Sequence, residues 1–138
     1  MKEIQEASVM KVLLSIDNSK GILDRLFRLI RGIPGADLIT APIELNEIMA
    51  YVQGFQPDVL VVDLCLSDGT AMDVMRALGF TNKKLTLIIL TDQPYEDIEN
   101  QLKALGADFV LNKSLEFELI IKILSRLGEK DRGSHLAV

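Results

Sequence analysis

Four polar residues of this sequence follow apolar runs and carry side chains suited to one kind of chemistry. Asp17 and Asp63 supply carboxylates, Thr91 a hydroxyl and Lys113 an ammonium group. Two carboxylates suit Mg²⁺, which prefers oxygen ligands and often bridges to phosphate. The ammonium and the hydroxyl can each bind a phosphoryl oxygen, and a carboxylate can act as a covalent nucleophile. Brought together by the fold, the four predict phosphoryl transfer to an aspartate.

Each of the four also has a purely structural interpretation when it is taken alone. Asp17, Asp63 and Thr91 are residue types that start loops or cap helices, and Lys113 could be a solvated surface lysine. The functional interpretation therefore depends on whether the fold places the four side chains in one crevice.

The surrounding elements favour such a crevice. Apolar runs alternate with segments of helical periodicity, which is the pattern of a parallel sheet wrapped by helices. The predicted strands cover residues 11–16, 36–41, 59–63, 85–90 and 108–111. We predict an α/β fold: a flavodoxin-like, doubly wound, five-stranded parallel sheet in the order 2-1-3-4-5, with five helices. The four polar residues then lie at the carboxyl ends of neighbouring strands, where open α/β sheets bind ligands.

The helices are predicted from apolar residues at i, i+3 and i+4 spacing. Leu29 belongs to the apolar stripe of the first helix. Thr70 and Asp73 form a predicted capping box at the start of the third helix. Pro94 is placed in the first turn of the fourth.

Length and composition exclude several classes of protein. A chain of 138 residues suffices for one domain, which we place at residues 10–128 between a flexible segment 1–9 and a flexible tail 129–138. The net charge of −5 argues against direct nucleic-acid binding. No apolar run approaches the roughly 18 residues of a membrane span. The single cysteine, Cys65, cannot form an internal disulfide, and we expect a cytoplasmic protein.

The sequence resembles a response regulator receiver domain from about residue 11 to residue 127. The matching stretches are KVLLSIDNSK, DVLVVDLCLSDG, LIILTDQ and KALGADFVLNKS. The resemblance implies that Asp63 accepts a phosphoryl group from a histidine kinase or a phosphotransfer protein. It implies that Mg²⁺ is held by Asp17, Asp63 and the backbone carbonyl of Cys65, and it assigns Thr91 and Lys113 to the family's hydroxyl and lysine positions. A receiver is a signalling phosphoacceptor rather than an enzyme, with at most self-catalysed phosphotransfer and dephosphorylation.

The sequence departs from the receiver pattern at several positions. Ile16 stands where the family usually has a second acidic residue, and Asp92 stands where a small residue is usual. Val110 occupies the position of an aromatic switch residue. Ser67 and Ser114 replace prolines that are common in the two loops.

These departures leave more than one functional hypothesis open. The first is a phosphorylated receiver that biases a protein-binding surface, which includes a possible homodimer face formed by strand four, helix four, strand five and helix five. The alternative is a pseudo-receiver, a protein-interaction module that works without phosphorylation. A third is a flavodoxin-like domain that binds flavin or another phosphorylated ligand. None of the three predicts a direct nucleic-acid or membrane partner.

Overall fold

One parallel sheet of five strands forms the centre of the protein. The computed structural model describes residues 9–79, 85–92 and 96–136, with only the backbone for residues 130–136. The strands are β1 (Met10–Ser15), β2 (Ala36–Thr40), β3 (Val59–Asp63), β4 (Thr86–Thr91) and β5 (Phe109–Asn112). Their spatial order is β2-β1-β3-β4-β5, which confirms the predicted fold class and strand order.

Helices cover both faces of this sheet. They are α1 (Ile22–Arg31), α2 (Leu45–Phe55), α3 (Ala71–Leu78), α4 (Glu96–Ala104) and α5 (Leu119–Leu136). Helices α1 and α5 pack on one face, and α2, α3 and α4 pack on the other. Within the described residues, no helix has the length and apolar character needed to cross a membrane.

Strand β3 carries Asp63 through the middle of the core. Val59 and Val61 belong to the apolar cluster under α1 and α5, whereas Leu60 and Val62 belong to the cluster on the opposite face. All five residues of the strand are buried, as expected where helices cover both sides of a sheet. The strand is therefore a rigid support for the carboxylate at its end.

Two aspartates fix the opposite edge of the sheet. Asp58 accepts a hydrogen bond from the backbone N–H of Lys11, and Asp108 accepts one from that of Leu87, both at 2.8 Å. Each carboxylate thus joins the starts of two adjacent strands. These bonds help to set the register that brings the carboxyl ends of the strands level.

The predicted capping box at the start of α3 is confirmed. The Thr70 hydroxyl accepts a hydrogen bond from the N–H of Met72 at 3.2 Å, and Asp73 accepts one from the N–H of Thr70 at 2.9 Å. A Cβ atom at Gly69 would lie 2.5 Å from the Asp73 carboxylate. Glycine at this position therefore leaves the space that the cap requires.

Two local features differ from the sequence prediction. Leu29 is 45% exposed, because the buried stripe of α1 consists only of Ile22, Leu26 and Ile30, four residues apart. Helix α5 continues to Leu136, so residues 129–136 are helical where a tail was predicted. The segment mixes good helix formers (Glu, Lys, Arg and Leu) with weak ones (Asp, Gly, Ser and His), so its composition alone did not indicate the extension. Pro94 lies outside the described residues.

Leu60 lies in the core below the candidate site and has no exposed surface, whereas Leu115 is 83% exposed. We expect Leu60→Ala to lower the free energy of unfolding by about 2–5 kcal/mol, because it removes buried methyl groups and leaves a cavity. Leu115→Ala, the matched control, should change it by less than about 0.5 kcal/mol. Urea denaturation measures both. Equal effects would contradict the assignment of the core.

Candidate functional site

Asp63 is the centre of the candidate site. It is the last residue of β3 and is only 4% exposed. Its Oδ2 accepts two hydrogen bonds at 2.8 Å, one from the backbone N–H of Asp17 and one from Nζ of Lys113. Its Oδ1 is buried and has no hydrogen-bond partner in the described part of the chain. One carboxylate oxygen is therefore held in place, and the other remains available to a ligand.

Lys113 reaches Asp63 because the loop after β5 is tied to the neighbouring strand. The Lys113 N–H donates to the carbonyl of Thr91 at 2.9 Å, and the lysine is 9% exposed. The preceding residue, Asn112, donates from Nδ2 to the carbonyl of Asp92 at 3.2 Å. Its Oδ1 accepts from the N–H groups of Ser114 and Leu115. The loop is thus shaped by its own asparagine and joined to the loop after β4.

Burial raises the pKa of the Asp63 carboxyl above its ordinary value. The hydrogen bond from Lys113, the N–H of Asp17 and the charge of Lys113 oppose the rise, while the negative charge of Asp17 adds to it. The desolvation of the carboxylate outweighs its favourable contacts. A positive charge entering the site would oppose this effect.

A cavity of about 200 Å³ opens beside Asp63. Asp17, Thr91 and Lys113 all line it, so the structure brings together the four polar residues singled out in the sequence. Thr91 is the last residue of β4 and is buried, whereas Asp92 is exposed at the wall of the same cavity. This volume and these groups suit a small anion such as a phosphoryl group together with a cation.

The oxygen donors of this cavity fit Mg²⁺. Asp17 and Asp63 supply carboxylates on the same cavity, and Asp63 has a buried oxygen without a partner. No group of three or more Asp, Glu, His or Cys side chains that could hold a metal occurs among the described residues. Mg²⁺ commonly binds one or two carboxylates and keeps several waters, so two carboxylates and the Cys65 carbonyl are an adequate donor set. The exposed thiol of Cys65 is not needed as a ligand.

The departures from the receiver pattern have clear places in the structure. Ile16 is 3% exposed and packs in the cluster under α1 and α5. Val110 is 8% exposed and packs in the opposite cluster, while Phe109 is 36% exposed on the other side of β5. Both aliphatic residues therefore serve the core, where the family would have an acidic and an aromatic side chain.

Sequence reasoning did not assign a role to Asn112 or Asp68. Asn112 organises the loop of Lys113, and Asp68 accepts a hydrogen bond at 2.8 Å from the N–H of Leu45, the first residue of α2. Both follow or interrupt a strand-like run, and Asn and Asp readily bond to nearby backbone in turns. The residue types therefore hinted at a role in turns. The partner of Asp68, Leu45, could not be predicted because it is distant in sequence.

The raised pKa of Asp63 predicts a pH-dependent stability. The folded protein binds a proton at Asp63 more readily than the unfolded chain, whose value is 3.8. The contribution of Asp63 to the free energy of unfolding is therefore greatest below pH 3.8 and is lost as the pH rises through the folded pKa. Asp63→Asn removes this dependence, so the stability of the variant relative to the wild type should increase with pH.

Urea denaturation in magnesium-free buffer from about pH 4 to pH 8 measures this difference. A difference between Asp63→Asn and wild type that stayed constant with pH, or changed in the opposite direction, would contradict the burial argument.

Comparison with solved structures finds receiver domains. A signal receiver domain from Vibrio parahaemolyticus has a TM-score of 0.78 at 18% identity, with 94% of this chain and 97% of that chain covered. A CheY-like response regulator receiver domain from Methanospirillum hungatei has a TM-score of 0.74 at 15% identity, with 92% and 99% covered. The chemotaxis response regulator CheY4 of Vibrio cholerae has a TM-score of 0.72 at 25% identity, with 86% and 98% covered.

No model of a known protein family matches the sequence. The resemblance noted in the sequence is nevertheless confirmed by the three-dimensional comparison, which extends over nearly the whole of each receiver domain. The chain has the fold of a response regulator receiver domain.

Proposed function

We propose that this protein is a receiver that accepts a phosphoryl group on Asp63, with Mg²⁺ bound, from a histidine kinase or a phosphotransfer protein. The observation that carries the proposal is the buried pair of Asp63 and Lys113, 2.8 Å apart on a cavity shared with Asp17 and Thr91. The receiver fold supports the choice of donor, because the similar structures include two-component response regulators. In this role the protein is a signalling phosphoacceptor rather than an enzyme that turns over a substrate.

The four polar residues singled out in the sequence each have a role in the proposed transfer. An Asp63 oxygen attacks phosphorus, and the bond between phosphorus and the donor's histidine nitrogen breaks, with its electron pair remaining on the imidazole. The Lys113 ammonium, held 2.8 Å from Asp63, neutralises charge on a phosphoryl oxygen, and the Thr91 hydroxyl donates to another. When bound, Mg²⁺ would supply positive charge that offsets the repulsion between the carboxylate and the anionic phosphoryl group. Asp17, Asp63 and the Cys65 carbonyl would hold it.

Positioning supplies most of the rate in such a reaction, since phosphoryl transfer needs little covalent chemistry from the protein. Asp63 meets this need because β3 is buried along its whole length and two hydrogen bonds hold one carboxylate oxygen. The pseudo-receiver alternative rests on Ile16, Asp92 and Val110. The chain nevertheless retains the family's acceptor aspartate, lysine, hydroxyl residue and second carboxylate. This favours phosphorylation over the pseudo-receiver alternative.

Incubation with a small-molecule phosphodonor, followed by intact-mass measurement, tests the proposal. We expect a gain of one phosphoryl group that requires Mg²⁺ and is absent in Asp63→Asn. Asp58→Asn is a matched control, because Asp58 precedes the same strand at the opposite edge of the sheet and should leave the gain unchanged. Lys113→Ala should reduce the rate of the gain. No gain in the wild type, together with no binding of beryllofluoride and Mg²⁺, would favour the pseudo-receiver.

We further propose that the signal reaches a partner or a second copy through the face formed by β4, α4, β5 and α5. Phe109 on β5 and Leu119 at the start of α5 are 36% and 38% exposed. Ile123, also on α5, is partly buried against the core and contributes less to this surface. The proposed surface therefore depends mainly on Phe109 and Leu119.

Beryllofluoride with Mg²⁺ should shift the protein toward a dimer on light-scattering chromatography. Leu119→Asp should prevent the shift, because a charged side chain would be desolvated at the interface. Leu29→Asp is the matched control, because Leu29 is an exposed residue of α1 and lies outside this face. This variant should behave as wild type. A wild type that binds beryllofluoride and remains monomeric would rule out the homodimer.

A further inference from the structure

The loop after β3, residues 64–70, is fastened to the start of α2. We call it the phosphoacceptor loop. Cys65–Leu66 pairs antiparallel with Gly69–Thr70, so Ser67 and Asp68 form the tip of a small hairpin. Ser67 donates to the carbonyl of Ile43 twice, from its N–H at 2.8 Å and from its hydroxyl at 3.0 Å. Asp68 accepts from the N–H of Leu45 at 2.8 Å.

The bond from Leu45 makes Asp68 the N-terminal cap of α2. The residue at the cap position within the chain, Glu44, makes no side-chain capping hydrogen bond. A carboxylate at a helix N-terminus satisfies a free N–H group and interacts favourably with the helix dipole. The first turn of α2 therefore depends on a side chain of the phosphoacceptor loop, more than twenty residues away in sequence.

The two hydrogen bonds from Ser67 to the Ile43 carbonyl depend on the residue type at position 67. Proline, the residue expected here from the receiver resemblance, has neither a backbone N–H nor a hydroxyl. Both bonds to Ile43 would then be impossible. This chain thus replaces a stiff ring in the loop with hydrogen bonds to the segment before α2.

The fastened segments also form the wall of the candidate site. Ile43, Cys65, Leu66 and Ser67 line the same 200 Å³ cavity as Asp63. Behind Ile43, the carbonyl of Pro42 accepts a hydrogen bond from the Ser15 hydroxyl at 3.0 Å, which anchors that side of the wall to β1. A group bound in the cavity therefore lies beside the loop whose next residue, Asp68, caps α2.

We propose that Ser67 and Asp68 are positioning residues that couple occupancy of the Asp63 site to the first turn of α2. The coupling rests on the proposed function, since it requires a ligand at Asp63. A phosphoryl group would change the strength of the Asp68 cap and hence the stability of the start of α2. The stability of the first turn of α2, on the β2 side of the sheet, then depends on whether the site is occupied.

Amide-resolved hydrogen exchange by NMR measures the coupling at the N–H of Leu45. With beryllofluoride and Mg²⁺ as the probe, we expect the exchange rate of this amide in the wild type to change by about fivefold, the size of effect typical of one helix cap. The N–H of Lys11, which donates to the Asp58 carboxylate at the opposite edge of the sheet, should not respond and is the internal control.

Variants separate the coupling from mere loss of structure. Asp68→Ala should raise the Leu45 exchange rate about fivefold without ligand and abolish the response to beryllofluoride. Asp68→Asn keeps an acceptor oxygen and should preserve the response. Ser67→Pro should weaken it while leaving the fold intact. Binding of beryllofluoride is followed independently by ¹⁹F NMR in every variant.

Binding to the wild type without a change at Leu45, or an unchanged response in Asp68→Ala, would overturn the coupling and leave the proposed function standing. Absence of binding to the wild type would overturn the proposed function, and the coupling with it.

Discussion

The carboxylate of Asp63 lies at the end of a fully buried strand, and the rest of the site compensates for its removal from water. The Lys113 ammonium and the Asp17 N–H both bond to Oδ2, yet burial still raises its pKa. A buried ion pair is a poor source of stability, since apolar residues of similar volume often serve as well or better. The proposed function explains the pair better, because it would hold the accepting carboxylate in a fixed orientation and leave Oδ1 for a ligand.

Such a pair requires that two loops distant in sequence be held at fixed positions. Lys113 is positioned by its N–H bond to Thr91 and by the bonds that Asn112 makes to the loop after β4 and within its own loop. Asp63 is positioned by β3, whose residues alternate between the two apolar clusters. The rigidity of the sheet is thereby transmitted to side chains at its edge, where side chains would otherwise be mobile.

The alternation of apolar runs and helical segments predicted the parallel sheet. Given the flavodoxin-like strand order, which was adopted by analogy, it also predicted the meeting of Asp17, Asp63, Thr91 and Lys113. This succeeded because the carboxyl ends of parallel strands necessarily share one edge. The contacts of Asp68 with Leu45 and of Ser67 with Ile43 were not predictable, since they join loops whose relative position depends on packing. The extension of α5 was missed for a different reason: residues 129–136 mix good helix formers with Asp, Gly, Ser and His, so the local sequence does not decide between a helix and a tail.

The replaced residues indicate how a signal would leave this site. Ile16 and Val110 are core residues here, so the strand-five position offers no aromatic ring to rotate. Under the proposed function, a change at Asp63 would instead act through hydrogen bonds of the loops that line its cavity. On the β5 side these bonds include the contact of Asn112 with the Asp92 carbonyl, and on the β2 side those of Ser67 and Asp68. The β2-side bonds join the cavity wall directly to the start of α2. No side chain in the core has to move to connect the two. Under the proposed function, these bonds give a change at Asp63 a route to the first turn of α2 through the phosphoacceptor loop.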